Sequence, residues 1–261
     1  MLNRKFIFII LLHILIITQS CDNGWSHDIP GCKNRSAVNY DPSATIDNGS
    51  CYFEQEIIIH DIDATEYYDW VYFSFELGEV VLTGCGEISN EEDCLTFEEC
   101  LWVLHPTSEE EDYHCHYDDA AAEISMDWDI AFYRHNIKTN GGLSGNGDVC
   151  AYVDNSQTWS NDSFVSTNEI PDGLECQVDE LIYGNLITKK GCYNPIDHFH
   201  DCVKNPALDQ WGDFNQANSF IPSNSFLFIK DLNDGNVKIW LKSYTDINNE
   251  PGHISMTYLP F

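Results

Sequence analysis

The chain has 261 residues, with 12 Lys and Arg against 43 Asp and Glu and a formal net charge of −31. So acidic a surface repels nucleic acid and anionic lipid headgroups, which excludes direct polyanion binding. Acidic composition alone can signal disorder, but an aromatic content of 13% calls for a packed core.

At the start, a short basic region (Asn3, Arg4, Lys5) precedes an apolar run from Phe6 to Ile17. A run of that length falls short of the roughly 20 residues a membrane span needs, but suits a signal peptide. Residues 1–20 are therefore expected to be removed, with Cys21 as a lipid-anchored N-terminus like that of bacterial lipoproteins. Thr18 and Ser20 stand where the usual cleavage motif has an aliphatic residue and Gly or Ala. An ordinary secretory signal cut nearby is the alternative reading. The cysteine count bears on this choice. With Cys21 acylated, ten of eleven remain: Cys32, Cys51, Cys85, Cys94, Cys100, Cys115, Cys150, Cys176, Cys192 and Cys202. Ten thiols can form five disulfides in an oxidising compartment. The mature chain would have 241 residues and a formal charge of −33. No other apolar run is long enough to cross a bilayer, so membrane contact is expected through the lipid anchor only.

Residues 21–31 read as a polar tether. A small module at 32–51 follows, closed by Cys32 and Cys51 and too short to hold a core of its own. Its Asn39-Tyr40-Asp41-Pro42, Ala44-Thr45 and Asp47-Asn48-Gly49-Ser50-Cys51 pieces resemble a short repeat of secreted bacterial proteins. Asp41, Ser43, Thr45 and Asp47 alternate as in a calcium loop, but no terminal Glu follows, so turn chemistry is the preferred reading.

Strands are expected from Ile57-Ile58-Ile59, from Trp70 to Leu77 and from Val80 to Thr83, the last two as a hairpin about Gly78. Between Cys85 and Cys115, extending to about residue 118, a polar, cysteine-clipped insertion interrupts the pattern. Its cysteine spacing does not suit a structural zinc site. Asp127 to Ile137 reads as a strand, with Trp128, Ile130 and Phe132 on one face and Asn140-Gly141 as a following turn. Arg134 could pair with Asp127 or Asp129. A short strand is expected near Phe164-Val165. The clearest elements are Phe226 to Lys230, the turn Asn233-Asp234-Gly235, Val237 to Leu241, and His253 to Leu259, an antiparallel meander. Helical periodicity is scarce, so the fold class is all-β.

Three blocks together resemble the HmuY family of bacterial haem-binding surface lipoproteins. They are Asp63-Ala64-Thr65 with Trp70 to Phe75 and Gly78 to Val81, then Asp127 to Gly142 with Ser144 to Gly147, then the C-terminal meander through Lys238-Ile239-Trp240 and Ile254 to Tyr258. The resemblance spans 57–261 and implies an antiparallel β domain at the surface of the outer membrane. It further implies capture of haem or a related porphyrin for uptake, with delivery to an outer-membrane haem receptor. Such proteins hold iron by axial histidine or methionine side chains set against an apolar slot.

The local candidates for haem or metal ligation are His198 and His200, between Cys192 and Cys202, with His135, His114 or His116 as a second ligand. Phe199, Tyr193 and Trp211 could cover a porphyrin face, and Asp197 and Asp201 could orient a ring. Met126 and Met256 lie in strand-like runs and suit ligation poorly. A solvated surface hairpin is the other reading of the His198 and His200 loop. Arg134 and Lys189-Lys190 are the local cations available to anionic propionates. An adhesion or glycan- or protein-binding module of the same fold is the alternative function. No GxSxG elbow, HExxH or P-loop is present, so a non-enzyme is expected; acidic pairs such as Asp127 and Asp129, abundant by composition, are the alternative, a hydrolytic carboxylate dyad. The expected pairings are Cys32–Cys51, Cys150–Cys176 and Cys192–Cys202, with two bridges inside 85–115.

Overall fold

The structure is a computed structural model that describes residues 28–33, 37–48, 56–66, 69–82, 85, 90–96, 100–104, 113–187, 191–194 and 198–261. The expected signal peptide, Cys21, Cys51 and Lys189-Lys190 lie outside the described residues. Strands β1 (Pro30–Gly31) and β2 (Ile46–Asp47) pair in parallel, and Asp41 accepts from the Ser43 backbone and hydroxyl, as a turn does. Cys32 is disulfide-bonded.

Next come β3 (Ile57–Asp63), β4 (Val71–Ser74) and β5 (Glu79–Val81). The cysteine-rich segment holds a one-turn helix, Glu91–Cys94, capped by Asn90, and a hairpin of β6 (Cys100–Leu104) with β7 (Tyr113–Tyr117). Disulfides Cys85–Cys100 and Cys94–Cys115 staple it, and the four sulfurs with Trp102 make its small core. A helix at Asp119–Ile124 leads into β8 (Ile130–Tyr133), β9 (Asn136–Thr139) and β10 (Cys150–Thr158). Short pieces follow: β11 (Glu180–Ile182), β12 (Cys192–Asn194), β13 (His198–His200), β14 (Cys202–Lys204), β15 (Gly212–Phe214) and β16 (Phe220–Pro222). The chain ends on β17 (Ser225–Lys230), β18 (Asn236–Thr245) and β19 (Pro251–Pro260).

Two antiparallel sheets organise these strands, one ordered β10-β17-β18-β19-β3 and the other β5-β4-β8-β9. Leu227 and Ile229 of β17, Val237, Ile239 and Leu241 of β18, and Ile254, Met256 and Tyr258 of β19 meet Phe73, Phe75, Ile130, Phe132 and Ile137 in a common core. The opposite face of β17 is also covered. Phe226 and Phe228 pack on Trp159 and Phe164, with Trp159 stacked on Phe226 at 3.6 Å between ring centres. Burial on both faces explains why β17 reads as a continuous apolar run and not as an alternation.

Four expectations need correction. Asp127 to Ile137 is not one strand: Tyr133 pairs with Asn136, so Arg134 and His135 form the two-residue turn of a β8–β9 hairpin. Trp128 lies before β8 and packs with Tyr72, Ala122 and Ala131, away from the core that Ile130 and Phe132 enter. Around Phe164 the chain forms a helix, Asn161–Ser166, because Ser160 and Ser163 build a reciprocal cap at its start. Met126 sits in an exposed bend, not a strand, whereas Met256 is buried in β19. The all-β antiparallel class holds. Among the described residues, no helix is long and apolar enough to cross a membrane.

Candidate functional site

The β8–β9 turn supplies the central residues of the site. Arg134 has φ +52°, a left-handed conformation that costs a non-glycine residue roughly 1–2 kcal/mol. That strain is borne at a site where both turn side chains face a cavity of about 720 Å³. The volume falls within the roughly 300–1,000 Å³ usual for small-molecule and cofactor sites.

Three further pieces complete the walls. The β12–β13 hairpin contributes Tyr193 and Phe199, whose rings lie 5.3 Å apart. Residues 209–220 bring Asp209, Gln210, Gly212, Asp213, Phe214, Asn218 and Phe220, and the ends of β18 and β19 bring Tyr244 and Pro251. The His135 ring sits 5.0 Å from Phe214, 5.7 Å from Phe220 and 5.9 Å from Tyr244. Trp211 is fully buried behind it and donates its indole N–H to the His135 carbonyl at 2.8 Å. The imidazole is therefore fixed at its backbone, walled by aromatics and half-buried on the cavity lining.

Electrostatics set its protonation. Burial, then the neighbouring Lys204 and Arg134 cations, push the His135 pKa down to about 3. At neutral pH the ring is uncharged and keeps a lone pair, as a metal-ligating imidazole requires. Lys204 is buried and saturated: its ammonium reaches Asp209 at 2.6 Å, Asn136 Oδ1 at 3.0 Å and the Gly191 carbonyl at 3.4 Å. Arg134 donates to the Thr65 carbonyl at 2.7 Å and lies 5.8 Å from the centre of the Tyr244 ring. Two cations and two carboxylates thus line a cavity within a chain of net charge −31. The site is locally balanced.

The Tyr193–Phe199 wall is held from outside. Cys192–Cys202 ties the hairpin to β14, and the Tyr133 hydroxyl donates to the Tyr193 carbonyl at 3.1 Å. Backbone packs on backbone behind it. A Cβ on Gly191, whose φ is +91°, would lie 2.2 Å from the His200 carbonyl, and one on Gly184 would lie 2.4 Å from that of Phe199.

Of the expected ligands, the structure places His135 on the cavity and does not bring His200 to it. Phe199 faces in, and side chains alternate along a strand, so His200 leaves from the other face. The side chains of His198, His114 and His116, and the whole of Asp197, lie outside the described residues. Asp201 accepts from Gly184 N–H at 2.7 Å. Asp127 is exposed beside Ser125, while Asp129 is buried and accepts from the Phe75 and Leu232 backbones. Neither of the two lines the cavity, and the Arg134 guanidinium donates to the Thr65 carbonyl. Sequence reading missed Lys204, Asp209, Phe214, Phe220 and Tyr244. The aromatic spacing through Trp211, Phe214 and Phe220 was the one signal that could have marked them.

Fold and cavity define an antiparallel two-sheet β protein with a ligand-sized, aromatic-walled pocket beside a hairpin turn. Comparison with known proteins makes the assignment more specific. The chain belongs to the HmuY family: the family model described as HmuY protein matches residues 66–258, bearing out the resemblance read from the sequence. A Bacteroides vulgatus protein assigned as HmuY-like and heme-binding shares the fold at 16% identity and a TM-score of 0.50, covering 86% of this chain and 96% of that one. A Tannerella forsythia HmuY analog is 22% identical over 79% of this chain and 97% of its own, with a TM-score of 0.49. A Bacteroides fragilis protein assigned as a lipoprotein is 18% identical over 76% and 86%, with a TM-score of 0.45. No curated protein matches.

Proposed function

We propose that this protein is a surface-tethered lipoprotein that binds haem or a related porphyrin in the cavity, with His135 as an iron ligand. One observation carries the reading: a neutral, half-buried imidazole faces a 720 Å³ cavity walled by Phe199, Phe214, Phe220, Tyr193 and Tyr244. Aromatic walls favour a flat apolar macrocycle, and an unprotonated ring nitrogen supplies the axial donor. Arg134 at the same turn is the cation best placed for a propionate. Family membership and the heme-binding assignment of the Bacteroides vulgatus relative support the ligand class.

The second axial position is left to a donor that the described cavity lining does not supply, since His200 does not line it and the strand period sets His198 in register with His200. Lipid attachment at Cys21 would hold this domain at the outer membrane, where an outer-membrane receptor could accept its cargo.

Titration of the purified, disulfide-intact protein with ferric haem tests the proposal. A sharp low-spin Soret band saturating at one to one is expected. His135→Ala should weaken binding at least tenfold and alter the band, while His200→Ala should stay within about twofold of the parent. Absence of the band at micromolar haem, or indifference to His135→Ala, would overturn the assignment.

A further inference from the structure

The turn between β18 and β19 carries a second constellation, unconnected with porphyrin ligation. Asp246, Glu250 and His253 bring two carboxylate oxygens and one ring nitrogen within 4.8 Å of one another. The turn that gathers them is tight. Asp246 N–H donates to the Glu250 carbonyl at 3.1 Å, and Asn249 N–H donates to the Asp246 carbonyl at 3.2 Å. Asp246 Oδ1 accepts the Asn248 and Glu250 backbone N–H groups at 2.8 Å and 2.7 Å, so its carboxylate is already immobilised. Little side-chain entropy remains to be lost there on binding.

The set is more than a patch of carboxylates, because its imidazole is positioned from a different strand. His253 Nδ1 lies 2.8 Å from Asp61 Oδ1 of β3, and only 14% of the His253 side chain is exposed. Asp61 reaches that position through a left-handed backbone, φ +62°, beside the register shift between Ile254 and Met256 in the β19–β3 pairing. A strained residue in mid-strand therefore sets a carboxylate behind the imidazole. Metal-ligating histidines are commonly oriented in this way, and their basicity is raised by it. One nitrogen and two oxygens form a borderline donor set that suits Zn²⁺ and its transition-metal neighbours better than Mg²⁺ or Ca²⁺, which prefer oxygen alone. The net charge of −31 concentrates cations near the surface.

We propose that Asp246, Glu250 and His253 bind one divalent transition-metal ion of the Zn²⁺ class, with Asp61 as a positioning residue. Tyr244 and Pro251, at the base of the same turn, line the cavity, so a bound ion would brace that part of its rim. The site is independent of whether the cavity takes haem.

The test is calorimetric titration of the haem-free, disulfide-intact protein with Zn²⁺, and separately with Mg²⁺. One saturable Zn²⁺ site is expected, with no saturable Mg²⁺ uptake over the same range. Glu250→Gln is the cleanest variant, because Glu250 is exposed and joins the turn only through its backbone. It should weaken Zn²⁺ at least tenfold, as should His253→Gln, and Asp61→Asn should weaken it several-fold. Zn²⁺ binding unchanged in Glu250→Gln and His253→Gln would place the ion elsewhere and overturn the proposal. So would a lack of saturable Zn²⁺ binding, or equal affinity for Mg²⁺.

Discussion

At the scale of single residues, two buried carboxyls and one half-buried imidazole pull stability in opposite directions with pH. Burial pushes Asp129 up to about 7, aided by the Asp231 and Glu76 charges and opposed by the Leu232 and Phe75 N–H groups. Burial likewise raises Asp179 to about 6, against hydrogen bonds from Thr139 and Asn205. In the unfolded chain both ionise near 3.8. Their stabilising contribution is therefore complete below about pH 4 and is lost as pH rises through 6 and then 7. His135 works the other way. Its folded pKa of about 3 lies below the ordinary 6.5, so its contribution is complete above pH 6.5 and is lost as pH falls towards 3. Each group is worth at most roughly 1.4 kcal/mol per pH unit within its window. Between pH 4 and 6 two carboxylates outweigh one imidazole, and from 6.5 to 7 Asp129 acts alone. Urea unfolding should accordingly show stability falling from pH 4 to 7, and Asp129→Asn should flatten that fall. The variant also loses one acceptor, because an amide nitrogen cannot receive the second backbone N–H, so its stability at pH 5 should drop by about 1–3 kcal/mol. A pH profile unchanged by Asp129→Asn would show that this carboxyl does not titrate as argued.

At the scale of elements, the cavity wall most open to test is the β12–β13 hairpin. Only three residues pair on each strand, too few to persist without cross-links or cover. The Cys192–Cys202 bridge closes a short loop and contributes about 2–3 kcal/mol by restricting the unfolded chain. Replacing both cysteines by Ser should loosen Tyr193 and Phe199 and weaken porphyrin binding about tenfold or more. The Cys150–Cys176 bridge joins β10 to a segment that does not line the cavity. Its double Ser variant should lose stability but keep affinity, and equal losses from both pairs would show a global effect instead. The hairpin also shows what the sequence could convey. Its bridge was legible from proximity, and the meander of β17, β18 and β19 was legible because each run is long and bounded by turn residues such as Asn233-Asp234-Gly235. The β8–β9 turn was not. Arg134 and His135 carry no Gly, Asn or Asp signal, so a hairpin read as one strand, although His135 itself was among the candidate ligands. The Asn161–Ser166 helix escaped for a related reason: six residues are too few for helical periodicity to show. Local rules fail here at a strained turn that lines the cavity.

At the scale of the whole molecule, the charge distribution separates encounter from binding. The family and antiparallel core were readable because apolar blocks spread over most of the chain carry them. The cavity's composition was not, because Arg134 is far in sequence from Lys204, Asp209 and Asp213 and meets them only through the fold. A net charge of −31 repels a haem whose propionates are anionic, while the cavity itself holds equal numbers of cations and carboxylates. Repulsion then acts mainly on approach, through solvent, where salt screens it beyond about 10 Å at 0.1 M. Within the cavity the contacts are short and part-buried, and salt reaches them poorly. Stopped-flow mixing with monomeric ferric haem should therefore give an association rate that rises several-fold from 20 mM to 500 mM NaCl, with a dissociation rate nearly constant. Steering by a local cationic pair would give the reverse slope. An association rate that falls with salt would assign Arg134 and Lys204 the dominant field at the cavity mouth, and Arg134→Gln would then flatten the dependence. A rate that rises, and rises still in Arg134→Gln, would confine the role of Arg134 to the bound state.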